Sequence, residues 1–279
     1  MNRLPDFLII GAQKAGTTWL HQHLRSHPGI FMPRDKDQGF FCWSEGPQAM
    51  PLEAYCACFE PAHEDQRIGE ATATYFWTRS GSAWDVKPHG YCDDIPGRIL
   101  ETLGQDTQLT LSLRDPVERA VSAYLHYVAT GEVDSRTSLL DAGDRLGLID
   151  IGFYAAHLGN WLRHFPLRQI LVLDFARDIA QRPVETLARV YTFLGVDEKW
   201  PVRNPGQVVF EGRKRIWQDG EVWVPLREYP DAPARDRARM DGAVYCRRVD
   251  RATLNELRSI YAQDQSRLRD MLFQRDENR

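Results

Sequence analysis

The chain has 279 residues, 43% hydrophobic and 27% charged, so it can bury a substantial core and has the composition of a soluble globular protein. Its net charge of −4 argues against general binding to nucleic acids or anionic membranes, and any basic site has to be local. Five cysteines without metal-ligand spacing, no apolar run near the ~20 residues of a membrane span and no signal-peptide pattern predict a cytoplasmic protein with free thiols.

The first predicted element is a buried parallel strand at residues 7–10, where four apolar residues follow one another. It runs into a loop in which Gly11 and Gly16 flank Lys14, and Thr17 opens a helix. Glycines allow close approach of the backbone, the helix start offers unpaired N–H groups, and the lysine adds a full positive charge. The stretch is therefore a candidate anion-binding loop.

The spacing within this loop differs from that of nucleotide hydrolases. Their P-loop places lysine directly after the second glycine, whereas Lys14 precedes Gly16 here. The order weakens an ATPase interpretation and favours a related phosphate-binding loop. A plain strand–turn–helix, in which the glycines only permit tight packing, is the structural alternative.

A second strand–helix junction follows a clear strand at residues 109–113. Asp115 is a good helix N-cap, and Glu118 three residues later completes a capping box. Arg114 therefore lies at the carboxyl end of a strand, where open α/β sheets bind ligands, and can grip a phosphate in a bidentate way. Ser122 lies two turns into the helix. A structural pair between Arg114 and a carboxylate is an equally good interpretation of this position alone.

The other segments alternate between strand and helix patterns, which predicts an α/β fold with a doubly wound parallel sheet flanked by helices. We expect one domain over residues 1–279, in which 44–66 and 201–243 are lid or insert segments. The remaining predicted elements are helices at 17–25, 95–103, 154–165, 183–194 and 253–271, strands at 30–32 and 169–173, a loop at 131–148 and an irregular region at 201–243.

Taken together, these motifs resemble the sulfotransferases that use 3′-phosphoadenosine 5′-phosphosulfate (PAPS), in particular the branch of heparan-sulfate and many bacterial sulfotransferases. Residues 11–20 are similar to the family's 5′-phosphosulfate loop, and residues 114–124 to its 3′-phosphate motif. Segments 160–167 and 193–195 are also similar, so the resemblance covers about residues 5–200. It implies a P-loop NTPase-like fold and PAPS as the sulfuryl donor.

The resemblance also implies roles for individual residues. Lys14 would stabilise charge on the leaving phosphate, and Arg114 and Ser122 would hold the 3′-phosphate. A late basic stretch closes on that phosphate in the family; a solvated charge run is the alternative here. The residues assigned to donor binding are Gln13, Lys14, Ala15, Gly16, Thr17, Thr18, Trp19, Arg114, Ser122, Arg213, Lys214 and Arg215.

Two carboxylates are candidates for the general base. Asp37 stands where relatives carry a glutamate, one methylene longer, and loop capping is its structural alternative. Glu70 resembles the glutamate of another family segment, in which Ala71 replaces a lysine that relatives use near the sulfate. The histidines His21 and His126 are weaker candidates.

The sequence thus favours sulfuryl transfer from PAPS to a hydroxyl or amine of a small-molecule natural product or a glycan, with adenosine 3′,5′-bisphosphate (PAP) as the product. No metal is expected because no acidic ligand motif is evident. A P-loop kinase or other phosphotransferase is the alternative, and a catalytically weak binding protein a third. Aromatic residues at 40–43, 75–77 and 217–223 either line an acceptor pocket or pack in the core.

Overall fold

The computed structural model describes residues 3–205, 215–229, 232–240 and 243–273, and its centre is a five-stranded parallel sheet. The strand order is β2-β3-β1-β4-β5, so β1 lies in the middle. All five residues of β1 are buried, as its continuous apolar run predicts. The strands are β1 Phe7–Gly11, β2 Ile30–Phe31, β3 Arg67–Ala71, β4 Gln108–Leu113 and β5 Ile170–Asp174.

Helices cover both faces of this sheet. Leu8 and Ile10 of β1 pack in one hydrophobic cluster with residues of α3 and α5, whereas Phe7 and Ile9 pack in another with α1 and α6. Alternate residues of a strand point to opposite faces, so the predicted doubly wound α/β fold is confirmed. The helices are α1 Thr17–Arg25, α2 Leu52–Ala57, α3 Ile95–Leu103, α4 Pro116–Thr130, α5 Tyr154–Trp161, α6 Pro183–Leu194 and α7 Arg251–Phe273.

A second sheet, antiparallel and four-stranded, occupies much of the region expected to be irregular, and that expectation is wrong. Its order is β6-β7-β9-β8. It packs through Val222 and Val224 into a cluster that includes Val117 of α4 and Leu254 of α7. Strands of three to seven residues separated by turns give too little periodicity to be recognised in the sequence. The strands are β6 Ile216–Gln218, β7 Glu221–Pro225, β8 Arg237–Met240 and β9 Ala243–Val249.

Two of the three aromatic stretches contribute to the core. Phe41 and Phe76 are fully buried, and Phe40 stacks on Tyr55 of α2 with ring centroids 4.2 Å apart. In the third stretch Trp217 keeps 39% of its surface exposed. Within the described ranges, no helix combines the length and apolar character that crossing a membrane requires. The single-domain organisation and the lid role of 44–66 and 201–243 stay predictions.

Candidate active site

The loop between β1 and α1 has a backbone that suits glycine. Gly11 has φ +149°, and a Cβ there would lie 2.8 Å from the carbonyl oxygen of Ala73. Gly16 has φ +90° and is the N-cap of α1, where a Cβ would lie 3.0 Å from Phe175. Both positions exclude a side chain, so the loop can bring its backbone close to a ligand.

Hydrogen bonds fix this loop against the neighbouring strand β4. The Ala12 amide donates to the Ser112 carbonyl oxygen over 2.7 Å, and the Ser112 hydroxyl donates to the Ala15 carbonyl oxygen over 2.6 Å. The Ala15 amide donates to Ala12 over 3.1 Å, so it is already engaged within the loop. The amides of Thr17 and Thr18 open α1, where the first turn of a helix has no intrahelical acceptors.

Lys14, with φ +67°, lies in this loop among other cations. Burial lowers the pKa of Lys14 most, the positive charges of Arg215, Lys36, Arg114 and Arg119 add to this effect in that order, and together they bring it to about 8. We call these five residues the cationic cradle. A lysine surrounded by four cations and partly withdrawn from water is a site that an anion would stabilise.

Arg114 has the position predicted for it, directly after β4 and before α4. The Asp115 carboxylate caps the helix by accepting from the Glu118 amide at 2.9 Å, as predicted. The Arg114 guanidinium donates to the Glu118 carboxylate over 2.6 Å and lies 4.9 Å above the Phe175 ring. The carboxylate pair is thus present and fixes the guanidinium, and phosphate binding by Arg114 stays a prediction. Ser122, two turns along α4, is half-buried.

Arg215 reaches the cradle from the second sheet, immediately before β6. Burial and the positive charge of Arg114 lower the pKa of Arg215, which places the two guanidinium groups near each other. The late basic stretch thus contributes one residue on this side of the fold. Arg213 and Lys214 lie outside the described residues.

The side chains of two further residues of this region form hydrogen bonds within the protein. The amide nitrogen of Gln13 donates to the Tyr127 hydroxyl over 2.9 Å. Trp19 is 7% exposed, and its indole N–H donates to the Pro205 carbonyl oxygen over 3.1 Å. The Trp19 side chain therefore anchors the chain beyond α6, while its role towards the donor stays a prediction.

Asp37 lies in the loop after β2 with φ +62°. One carboxylate oxygen accepts from the Ala73 amide at 3.0 Å, and the other pairs with the Lys36 ammonium at 2.5 Å. The side chain is still 51% exposed, so the carboxylate is fixed in place and open to solvent. Loop capping and accessibility to an acceptor are both satisfied by this geometry.

Glu70, at the carboxyl end of β3, has the opposite environment. It is 1% exposed, and one of its oxygens accepts from the Thr72 hydroxyl at 2.5 Å. Its other oxygen has no hydrogen-bond partner among the described residues. Burial raises the pKa of Glu70 to about 7, against the opposing effect of the Thr72 hydrogen bond. Because Thr72 also accepts from the Gly39 amide at 3.1 Å, Glu70 is connected to the loop of Asp37.

The two histidine candidates lie in different environments. The ring of His21 hydrogen-bonds the Pro33 carbonyl oxygen at 2.9 Å, and burial lowers its pKa. His126 is exposed on α4 with its ring 5.9 Å from that of Tyr127. No group of three or more metal-binding side chains occurs in the part of the chain that the structure describes.

Three residues of the site were not assigned roles from the sequence. Lys36 and Arg119 belong to the cradle, and Tyr127 contacts the loop through Gln13. Lys36 and Arg119 lie inside the recognised motifs, so their charge beside an anion-binding loop was the available signal. Tyr127 carries no comparable signal, because its contact with Gln13 joins residues 114 positions apart.

Comparison with known proteins assigns a family to this architecture. The model of the sulfotransferase domain matches residues 4–214. Human heparan sulfate glucosamine 3-O-sulfotransferase 3B1 is 33% identical over 210 residues, covering 70% of this chain and 47% of that protein. The mouse bifunctional heparan sulfate N-deacetylase/N-sulfotransferase 2 is 26% identical over 235 residues, with 78% and 25% covered. The chain thus spans about half the length of the human relative and about a quarter of the length of the mouse relative.

A solved structure shares the fold. The crystal structure of a sulfotransferase from Alicyclobacillus acidocaldarius superposes with a TM-score of 0.59 and 25% identity, covering 75% of this chain and 87% of that one.

Proposed function

The chain belongs to the sulfotransferase family, and from this premise we propose that it transfers the sulfuryl group of PAPS to a hydroxyl or amine of a small molecule or glycan. The observation that carries the proposal is the cationic cradle around Lys14. A partly buried lysine whose pKa is lowered by burial and by four neighbouring cations fits a ligand with several negative charges at two separate positions.

The residues of the cradle fit the two phosphate-bearing ends of such a donor. The α1 start with Lys14 would hold the 5′-phosphosulfate, and Arg114 with Ser122 and Arg215 would hold the 3′-phosphate. Bound PAPS supplies the sulfuryl group and a leaving group that departs as PAP. Lys14, kept protonated by the bound anion, stabilises negative charge on that leaving phosphate.

The two candidate carboxylates have different roles in this proposal. Asp37 is half-exposed and held by Ala73 and Lys36, so we assign it to accept the proton of the attacking hydroxyl or amine. Glu70 is sealed from solvent and supports the Asp37 loop through Thr72 and Gly39. Aspartate to asparagine at position 37 should lower turnover by about 10²–10⁴-fold while PAP binding is retained.

The names of two relatives refer to heparan sulfate, which is a glycan. We propose a glycan or small-molecule acceptor at this coarse level. We also propose a cytoplasmic location and a bacterial-type enzyme. The location is supported by five cysteines that are all free, and fractionation of the source cells tests it.

The decisive experiment compares nucleotides by calorimetry. PAP should bind, whereas ATP with Mg²⁺ should bind at least about tenfold more weakly, because it lacks the 3′-phosphate that Arg114 and Arg215 would hold. Transfer of ³⁵S-sulfate from labelled PAPS to an acceptor panel then tests turnover. Tight ATP–Mg²⁺ binding without PAP binding would favour the kinase alternative.

A further inference from the structure

An open pocket of about 510 Å³ is lined by residues from the part of the chain between β3 and α5. Its walls come from two segments of the chain, one after β3 and one after α4. We call it the acid-rimmed pocket, and its lining residues are Val86, Lys87, Pro88, Glu132, Asp144, Arg145 and Leu146.

Hydrogen bonds connect this pocket to the phosphate-binding loop. The Tyr127 hydroxyl, which meets the side chain of Gln13, is 3.0 Å from the carbonyl oxygen of Leu146. Gln13 is the residue before Lys14, and Leu146 is a wall of the pocket. The Tyr127 hydroxyl therefore joins the backbone of the pocket wall to the side chain of the residue that precedes Lys14.

The wall at Leu146 is held in one conformation. Leu146 has φ +52°, a left-handed conformation that costs energy for a branched residue. The carbonyl groups of the next residues are held by buried side chains. The Arg119 guanidinium donates to the Leu148 carbonyl oxygen, and the Tyr261 hydroxyl donates to that of Ile149 over 2.8 Å. A turn fixed in this way gives the pocket a defined shape before any ligand binds.

The pocket combines apolar surface with a negative rim. Val86 is 52% exposed and Leu146 38% exposed, so both offer apolar surface to a ligand. Lys87 is 2% exposed and bonds the carboxylates of Asp85 at 2.7 Å and Asp150 at 2.9 Å, which neutralise its charge. Of the exposed charged lining residues, Glu132 and Asp144 are acids and Arg145 is a base.

From this arrangement we propose that the acid-rimmed pocket binds the acceptor, and that it selects a small molecule with an apolar body and a positively charged amine. The proposal rests on the proposed sulfotransferase function, whose second substrate it specifies. The amine would lie near Glu132 and Asp144, the apolar body against Val86 and Leu146, and the reacting hydroxyl towards Lys14.

The same arrangement disfavours a polyanionic glycan. Carboxylates and sulfates on such an acceptor would be repelled by the acidic rim. They would also be attracted to the cationic cradle and would there compete with the donor. A positively charged acceptor meets the reverse situation, because the cradle repels it and the rim attracts it.

Three phenols that share a 4-hydroxyphenyl body and end in a cationic, a neutral or an anionic group test this selection. Tyramine is cationic, tyrosol is neutral and 4-hydroxyphenylacetate is anionic at pH 7, and a heparan sulfate oligosaccharide is the fourth acceptor. We expect kcat/KM with PAPS to fall in that order, with about a tenfold difference between tyramine and 4-hydroxyphenylacetate at low salt. A reversed or flat order, or faster sulfation of the oligosaccharide, overturns the proposal.

Variants assign the preference to the rim. Glu132→Gln with Asp144→Asn should reduce the tyramine preference to about threefold or less. Glu256→Gln with Asp270→Asn removes the same charge from exposed positions on α7 and should leave the preference unchanged. Val86→Trp should raise KM for all three phenols without changing PAP affinity. A preference that survives the rim double substitution overturns the assignment.

Donor binding and acceptor sulfation are measured separately. Calorimetric binding of PAP to the unmodified protein tests the proposed function. If PAP binds and none of the three phenols is sulfated, the acceptor proposal is wrong while the donor site stands. If PAP does not bind, the proposed function itself fails.

Discussion

The cationic cradle and the acid-rimmed pocket are joined by the Gln13–Tyr127–Leu146 contacts but are built in different ways. In the cradle, Lys14, Arg114 and Arg119 follow β1 and β4, central strands that fix their backbone together with the helices after them, while Lys36 follows β2 and Arg215 precedes β6. The pocket is made by loops after β3 and after α4 and is open to solvent. Chemistry shared by a family is held on the rigid scaffold, and features that can differ between members are carried by loops.

The two regions also differ in how their charges are balanced. In the cradle, burial and the neighbouring cations lower the pKa of Lys14, whose own ammonium has no carboxylate pair among the described residues, whereas Arg114 pairs with Glu118 and Lys36 with Asp37. In the pocket, Lys87 is already neutralised by two carboxylates, and the exposed rim carries the two acids Glu132 and Asp144 and the one base Arg145. A strongly charged donor and a weakly charged acceptor can thus be told apart by position alone.

The largest expected effect comes from removing Lys14. Lys14→Ala should lower turnover by about 10²–10³-fold, the range found when one donor to a developing negative charge is deleted. Lys199→Ala, an exposed cation beyond α6, is the matched control and should be silent. Turnover within twofold of the unmodified protein would contradict the role of Lys14.

The pH dependence of PAP affinity sharpens the same point. With the pKa of Lys14 at about 8 in the free protein, affinity should fall as pH rises above 8, because binding then requires uptake of a proton. Lys14→Arg keeps the charge over this range, so its affinity should stay level. Calorimetry between pH 7 and 9.5 measures the difference.

Glu70 provides the second largest effect, on stability. Its folded pKa of about 7 exceeds the unfolded value near 4.5, so between these pH values the unfolded chain releases a proton that the folded protein retains. The free energy of unfolding should therefore fall as pH rises through this window. Glu70→Gln should remove up to about 3 kcal/mol of that loss.

Urea unfolding at pH 5 and pH 8 tests the prediction for Glu70. The glutamine variant should match the unmodified protein at the lower pH and be more stable at the higher one. Glu53→Gln, at an acidic residue exposed in the first turn of α2, is the control and should show the unmodified protein's pH dependence. Equal pH dependence in Glu70→Gln and the unmodified protein would show that Glu70 ionises normally.

Arg114 tests whether the cradle recognises two phosphate positions. Arg114→Ala should weaken PAP binding about 10–100-fold, the usual cost of a charge-assisted hydrogen bond. Adenosine 5′-phosphosulfate, which has no 3′-phosphate, should lose much less affinity. Equal losses for both nucleotides would mean that Arg114 acts through its pair with Glu118 instead.

The difference between the regions also explains what the sequence could predict. The strand–loop–helix at Gly11–Thr17 and the Asp115 cap are set by residues close together in the sequence, and the structure confirms them. The antiparallel second sheet was missed because its short strands pair across turns rather than by long local patterns. The contact of Gln13 with Tyr127 and the pocket wall at Leu146 depend on tertiary packing, which spacing in the sequence does not encode.

The smallest expected effect concerns the link between the two regions. Tyr127→Phe removes the hydroxyl that meets Gln13 and Leu146, and should raise the KM values of both PAPS and acceptor by about fivefold, the cost of about one neutral hydrogen bond. Tyr91→Phe removes a hydroxyl that instead donates to the Thr74 carbonyl oxygen over 2.8 Å, and should change neither KM. A change in only one KM would mean that the donor loop and the pocket wall are held independently.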